Sequence, residues 1–255
     1  MKFIKKRDMF LLEELVKRNF SSKYKDSVLG ILWTVLSPLL MMALFTIIFS
    51  TIFGRNIDNF PVYFLCGWCI FTFFNTSVGT SMMALKGNEN ILKRTPTPKY
   101  VFVLASVISE FLNFIIMLLL LVCVMIVTHA SFHLTSILAV IPIISLVIMV
   151  TGLGLILSVA CVYYTDVKHL WTVFSMMLMY ASGVFYPMDI IPEPYHKYMI
   201  LNPVYWIIDQ FRCFIYHGVI PELGYVLNSL ILSSIILVFG IIIFVAYEYK
   251  LTMKF

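Results

Sequence analysis

Residues 100–128, YVFVLASVISEFLNFIIMLLLLVCVMIVT, contain a single charged side chain, Glu110, and place apolar groups on every face of a helix. A helix needs about 20 apolar residues to cross the roughly 30 Å hydrocarbon core of a bilayer, and one packed in a soluble core confines its apolar residues to one stripe. This stretch therefore reads as a membrane span. Working outward, apolar stretches of similar reach occupy residues 28–53, 60–85, 134–164, 168–187 and 223–247. An all-α integral membrane protein with six transmembrane helices is expected. The chain is 61% hydrophobic and 12% charged, against about 45–50% and about 25% in soluble domains. The spans leave no room for a sizeable soluble domain, so residues 1–255 read as a single membrane domain.

Two segments depart from the span pattern. Residues 188–218 follow Pro187, are broken by Pro192, Pro194 and Pro203, and carry Asp189, Glu193, His196, Lys197, Asp209 and Arg212. Irregular backbone survives at membrane depth only where protein or water covers it. A re-entrant helical pair, near 192–201 and 203–216, is expected before the last span. At 100° per residue, the segment 6–25 puts Met9, Leu11, Leu12, Leu15, Val16 and Phe20 in one half of the wheel, and Lys6, Glu13, Glu14, Lys17 and Arg18 in the other. An interfacial amphipathic helix fits this pattern; a loosely structured basic tail that only sets orientation is the alternative. Charges interrupt the apolar stretch too often for a signal-peptide core, so the start is expected to be retained.

The 18 Lys and Arg residues are unevenly distributed. One side would hold Lys2, Lys5, Lys6, Arg7, Lys17, Arg18, Lys23, Lys25, Lys86, Lys93, Arg94, Lys99, Lys168, Lys250 and Lys254, and the other only Arg55, Lys197 and Arg212. The positive-inside rule then puts both termini in the cytoplasm of a multi-pass cell-membrane protein. Basic residues flanking spans also account for the net charge of +5 without nucleic acid, and point to anionic membrane lipid.

Catalytic and nucleotide motifs are absent from the sequence: there is no GxxxxGK[ST], HExxH or GxSxG. If ATP drives this protein, another chain binds it. Cys66 and Cys69 have CxxC spacing inside FLCGWCIF but lack companion ligands, and the five histidines lie at loops and span ends, so no metal is expected. Glu110 is costly at its depth. It should face the bundle interior, be protonated, or pair with Asn113 at i+3, either for proton coupling or as a structural interhelical bond.

The stretch LVKRNFSSKYKDSVLGILWTVLSPLLMMALFTIIFSTIFGR, residues 15–55, resembles the opening of ABC-2 type permeases that export O-antigen, capsular polysaccharide and teichoic acid. Tyr24, Leu29, Gly30, Trp33 and Pro38 stand at the pattern positions. VYYTDVKHLW, MYASGVFYPMDIIP and LNPVYWIIDQFR, residues 162–171, 179–192 and 201–212, resemble that family's later elements. Asp166, Tyr186, Pro187, Pro192, Asn202, Pro203 and Arg212 carry that likeness. Thr165, where the family usually has Arg, and Gly183, where a Pro often precedes Tyr-Pro, depart from it.

The resemblance implies a permease that works as a homodimer with two copies of a separate ABC ATPase, which would hold ATP and Mg, so that this chain binds no cofactor. In the connection 86–99, residues 88–94 suit a short helix capped by Asn88 and stopped by Pro96. By resemblance this connection, with Lys86, Asn88, Glu89, Lys93 and Arg94, meets the ATPase beside the Asp166 turn. A lipid-linked polysaccharide is longer than the membrane is thick, so a channel between two copies suits it better than a closed pocket. Its expected lining is the first and fifth spans, with Trp33, Pro38, Tyr180 and Tyr186 along the path. The 6–25 helix, through Leu12, Leu15, Val16, Phe20 and Tyr24, would gate the inner mouth. The re-entrant region, through Pro192, Asn202, Pro203 and Arg212, would gate the outer one. Two other functions remain open: an ABC-2 exporter of a small amphipathic drug or antibiotic, and a membrane-embedded enzyme acting on lipid-linked sugars.

Overall fold

Long apolar runs free of breakers become long helices. In the computed structural model, which describes residues 6–25, 27–49, 57–94 and 97–254, α1 (Lys6–Tyr24) is followed by α2 (Leu32–Ile47) and α3 (Phe60–Met83). Then come α4 (Glu89–Arg94), α5 (Tyr100–Val127) and α6 (Val140–Tyr163), the last entered through a 3-10 turn at Leu134–Ala139. The chain continues with α7 (Val167–Ala181), α8 (Glu193–Ile200), α9 (Pro203–Arg212) and α10 (Leu223–Lys254). Among the described residues every regular element is helical. The end of the first expected span (50–53), Lys2, Lys5, Arg55 and Pro96 lie outside the described residues.

Four segments are long and apolar enough to cross a membrane: Phe60–Met83, Tyr100–Val127, Leu134–Tyr163 and Leu223–Glu248. The helices at the other two expected spans are shorter, α2 with 16 residues and α7 with 15. At 1.5 Å per residue they reach about 24 and 22 Å, less than the roughly 30 Å of hydrocarbon. Apolar residues before α2 and after α7 leave the helix rather than extend it, whereas at its other end α2 runs on into a π turn at 48–49. The chain turns at 27–31 before α2, with Leu32 N–H bonded to Leu29 O (2.9 Å). Beyond Ala181 it turns through Gly183 (φ 60°) and becomes extended at Pro187. Tyr186 precedes a proline, which disfavours helical backbone, so the Tyr-Pro pair lies past the end of α7 rather than inside it.

Hydrogen bonds between connections define the two ends of the bundle. At one end Arg18 donates to Asn88 (2.6 Å), Lys86 to Thr165 (3.2 Å) and Lys99 to Glu248 O (3.5 Å). This gathers α1, the 86–99 connection, the α6–α7 turn and the end of α10. At the other end Asn59 donates to Thr128 (2.9 Å), Thr135 to Phe214 O (2.8 Å) and Asn202 to Ala181 O (3.2 Å). These bonds place α3, α5, α6 and α7 between the two ends, and α10 reaches the first of them at Glu248.

Helix α3 is the central column. Of its most apolar window 72% is buried, against 22% for α10, which is a peripheral helix. Phe64, Phe73 and Phe74 of α3 are fully enclosed along with Phe114, Phe211 and Phe214. In lipid, such contacts act by dispersion and close fit rather than by removing surface from water. The α6–α10 crossing shows this fit at its tightest. A Cβ on Gly240 would lie 2.5 Å from Gly152 O, so the two backbones meet where neither residue has a side chain.

Candidate functional site

At the end that carries α1, the amphipathic stripe packs against protein. Leu15 is buried among Ala84, Leu85, Val101 and Phe102, with Leu12 and Val16 partly buried beside it, whereas Met9 and Phe10 are exposed. Ser109 of α5 donates to Val16 O (3.3 Å). In the last turn the contact becomes polar. Lys23 Nζ pairs with Glu110 Oε2 at 2.9 Å; the lysine side chain is 42% exposed and the glutamate side chain 8%. Asn113 Nδ2 donates to the same carboxylate (3.1 Å). The Tyr24 hydroxyl donates to Asn113 Oδ1 (2.6 Å), which leaves Thr34 of α2 to donate to Tyr24 (2.6 Å). Five side chains thus join α1, α2 and α5. The expected Glu110–Asn113 bond is present, and Lys23 is a partner that spacing along a single helix does not suggest.

Two cavities flank this cluster. One of about 560 Å³, between α1, α3 and α5, is lined by polar groups including Asn19, Thr76, Thr80 and Asn88 as well as Lys23 and Glu110. The other, about 290 Å³, lies towards α2 and is bordered by Tyr24, Gly30, Trp33, Pro38 and Trp68. Trp33 is 49% exposed and Pro38 is buried. Tyr180 and Tyr186 do not line that cavity but sit at the far end of α7, where Tyr180 is exposed and the Tyr186 hydroxyl donates to Tyr180 O. A single copy thus brings Trp33 and Pro38 to one cavity and leaves Tyr180 and Tyr186 together at the far end of α7.

Of the expected coupling residues, five lie on the 86–94 connection and Asp166 lies on the turn that this connection touches. Lys86 reaches the turn that holds exposed Asp166, and Glu89 pairs with Lys93 across one helical turn (2.7 Å). Arg94 is exposed. Instead of capping α4, the Asn88 side chain receives Arg18 on its oxygen and donates to Ala84 O (2.8 Å). This ties α1 to the same surface.

At the opposite end the expected helical pair is present as α8 and α9. Pro192 immediately precedes α8 and Pro203 opens α9. Asn202 caps α9 by accepting from Val204 N–H (3.0 Å), and donates to Ser182 Oγ (2.8 Å). Arg212 is buried at 4% exposure and donates to Gly183 O and Val184 O, both at 2.8 Å, and to Tyr63 O at 3.3 Å. Its guanidinium also lies 3.7 Å from the centre of the Tyr63 ring. A Cβ on Gly67 would lie 2.6 Å from Arg212 Nη2, so α3 leaves room for the cation. Sequence reading missed Gln210, which is fully buried, donates to Tyr225 O (3.0 Å) and accepts from Ser229 (3.1 Å). A lone polar residue in an otherwise mixed helix gives no local sign of such partners.

Residues 11–216 match the family model of the ABC-2 type transporter. The O-antigen export system permease protein RfbA of Klebsiella pneumoniae is 27% identical over 242 residues, covering 94% of this chain and 93% of that protein. A protein of the same name from Myxococcus xanthus is 27% identical over 216 residues, covering 83% and 82%. The polysialic acid transport protein KpsM of Escherichia coli is 25% identical over 231 residues, covering 89% of each chain.

Proposed function

The chain belongs to the ABC-2 type transporter family, and from that membership we propose that it is the permease subunit of an ABC exporter for a lipid-linked cell-surface polysaccharide. The observation that carries this reading is similarity over 94% of the chain to an O-antigen export permease, which takes in both ends of the bundle.

In this reading α2 and α7 join the four long helices as membrane spans, with neighbouring apolar turn residues supplying the missing reach. Helices α8 and α9 form a re-entrant pair on the outer side, and both termini lie in the cytoplasm, as the distribution of basic residues favours. Two copies of this chain work with two copies of a separate ATPase that holds ATP and Mg. The ATPase docks at α4, α1 and the Asp166 turn, the surface gathered by the Lys86 and Arg18 bonds. Polymer passes between the copies along α2 and α7, with α1 at the inner mouth and the α8–α9 pair at the outer one. Hydrated sugar cannot cross hydrocarbon unaided, because each unpaired polar group there costs several kcal/mol.

Deletion of the chain in its host tests the proposal. Surface polysaccharide should disappear while lipid-linked polymer accumulates inside, and both should revert when the chain is restored. Normal surface polymer in the deletion strain would contradict it.

A further inference from the structure

We propose that the Lys23–Glu110 pair is the latch that holds α1 closed on the bundle, with Glu110 as the positioning residue for the helix. This rests on the reading of α1 as the inner gate. The apolar contacts of α1 lie in its first three turns, around Leu12, Leu15 and Val16. Its last turn has little apolar support. There the cavities of about 560 and 290 Å³ are both bordered by Lys23 and Glu110, so the ion pair bridges a space that side chains do not fill. The bridge is short at 2.9 Å, and it joins a half-exposed lysine to a buried carboxylate.

The asymmetry in burial makes the closed position discrete. When α1 leaves, Lys23 finds water readily, but Glu110 remains in an apolar span with Asn113 as its remaining polar contact. A buried charge that loses its counter-ion is strongly disfavoured. Glu110 therefore favours the docked helix far more than an apolar contact of the same size would. The pair also lies on a mechanical route. Arg18, five residues before Lys23, donates to Asn88, so movement of the 86–94 connection pulls on α1 directly. Displacement of that connection would then be transmitted along α1 to the latch.

The test uses the assembled permease–ATPase complex in nanodiscs. Amide hydrogen exchange across residues 19–24 reports the docking of α1, and ATP hydrolysis without polysaccharide reports coupling. Glu110→Gln and Lys23→Met should each speed exchange at least fivefold and raise substrate-free hydrolysis at least twofold. Lys23→Arg, which keeps the charge, should stay within twofold of the parent on both measures. Lys23 is half-exposed, so Lys23→Met remains informative if Glu110→Gln fails to assemble. Exchange within twofold of the parent in the assembled Lys23→Met complex would overturn the latch. Faster exchange with normal export would support the latch and contradict the gating role of α1.

Discussion

Arg212 places a buried cation where no carboxylate forms an ion pair with it among the described residues; backbone carbonyls hold it instead. Gly183 O and Val184 O, just past the end of α7, and Tyr63 O in α3 converge on its guanidinium. The planar fork presents its donors in fixed, diverging directions while lying flat over the Tyr63 ring, whereas an ammonium is a compact charge whose three donors radiate from one atom. One side chain of α9 thus fixes the end of α7 against the central helix. Arg212→Lys keeps the charge but abandons at least one buried carbonyl, at about 1–3 kcal/mol per lost partner. The apparent unfolding midpoint of the purified permease should fall by about 2–12 °C. An unchanged midpoint would mean that the three bonds do not hold the outer region in place. Asn202 acts in parallel, since its amide caps α9 and reaches back to Ala181 and Ser182.

The α6–α10 crossing gives a sharp prediction at the level of elements. Gly240→Leu would drive a side chain into the Gly152 backbone, where no flexible group can yield. It should abolish the folded permease, while Gly224→Ala on the same helix, which meets nothing within 4 Å, should leave yield and elution unchanged on size-exclusion chromatography. Helix α4 gives a second. Because Lys93 already pairs with Glu89, Lys93→Glu with Arg94→Glu both breaks that pair and reverses the charge of the surface. Permease-stimulated ATP hydrolysis should drop at least fivefold, and normal stimulation would exclude α4 from coupling. These helices also show what the sequence could reveal. The α5 run was legible because 28 residues with one charge have no other solvent, and α1 because its 100° periodicity separates Leu15 from Lys17. The helix ends were not: Phe185 and Tyr186 are as apolar as a span requires, yet Phe185 is buried at 4% exposure in non-helical backbone. Nor was Lys23 legible as the partner of Glu110. The i+3 bond to Asn113 is set by one helix, whereas a contact between residues 87 positions apart depends on how α1 folds back.

For the whole molecule, the two shorter helices carry exposed apolar faces, as the long helices α5 and α10 also do. Trp33, Leu40, Leu44 and Ile47 of α2 are exposed, as are Leu170, Val173, Phe174, Met177 and Tyr180 of α7. In the proposed assembly these faces meet a second copy and the polymer rather than lipid alone. Trp33 and Tyr186 then lie near opposite mouths, and stacking on sugar faces tolerates sliding better than directed hydrogen bonds do. Trp33→Ala and Tyr186→Ala should each reduce surface polysaccharide at least threefold without loss of folded protein; normal amount and chain length in both would place the path elsewhere. The central claim, ATP-driven polysaccharide export by this chain with a separate ATPase, is tested most directly in proteoliposomes. Purified permease and ATPase are reconstituted with fluorescent lipid-linked polysaccharide, and the fraction of polymer protected from added glycosidase is measured. The account predicts that protection grows only when ATP, Mg and both proteins are present, and stops when Lys93→Glu/Arg94→Glu permease is used. Protection that develops without ATP or without the ATPase, or polymer that stays fully digestible with all components present, would contradict it.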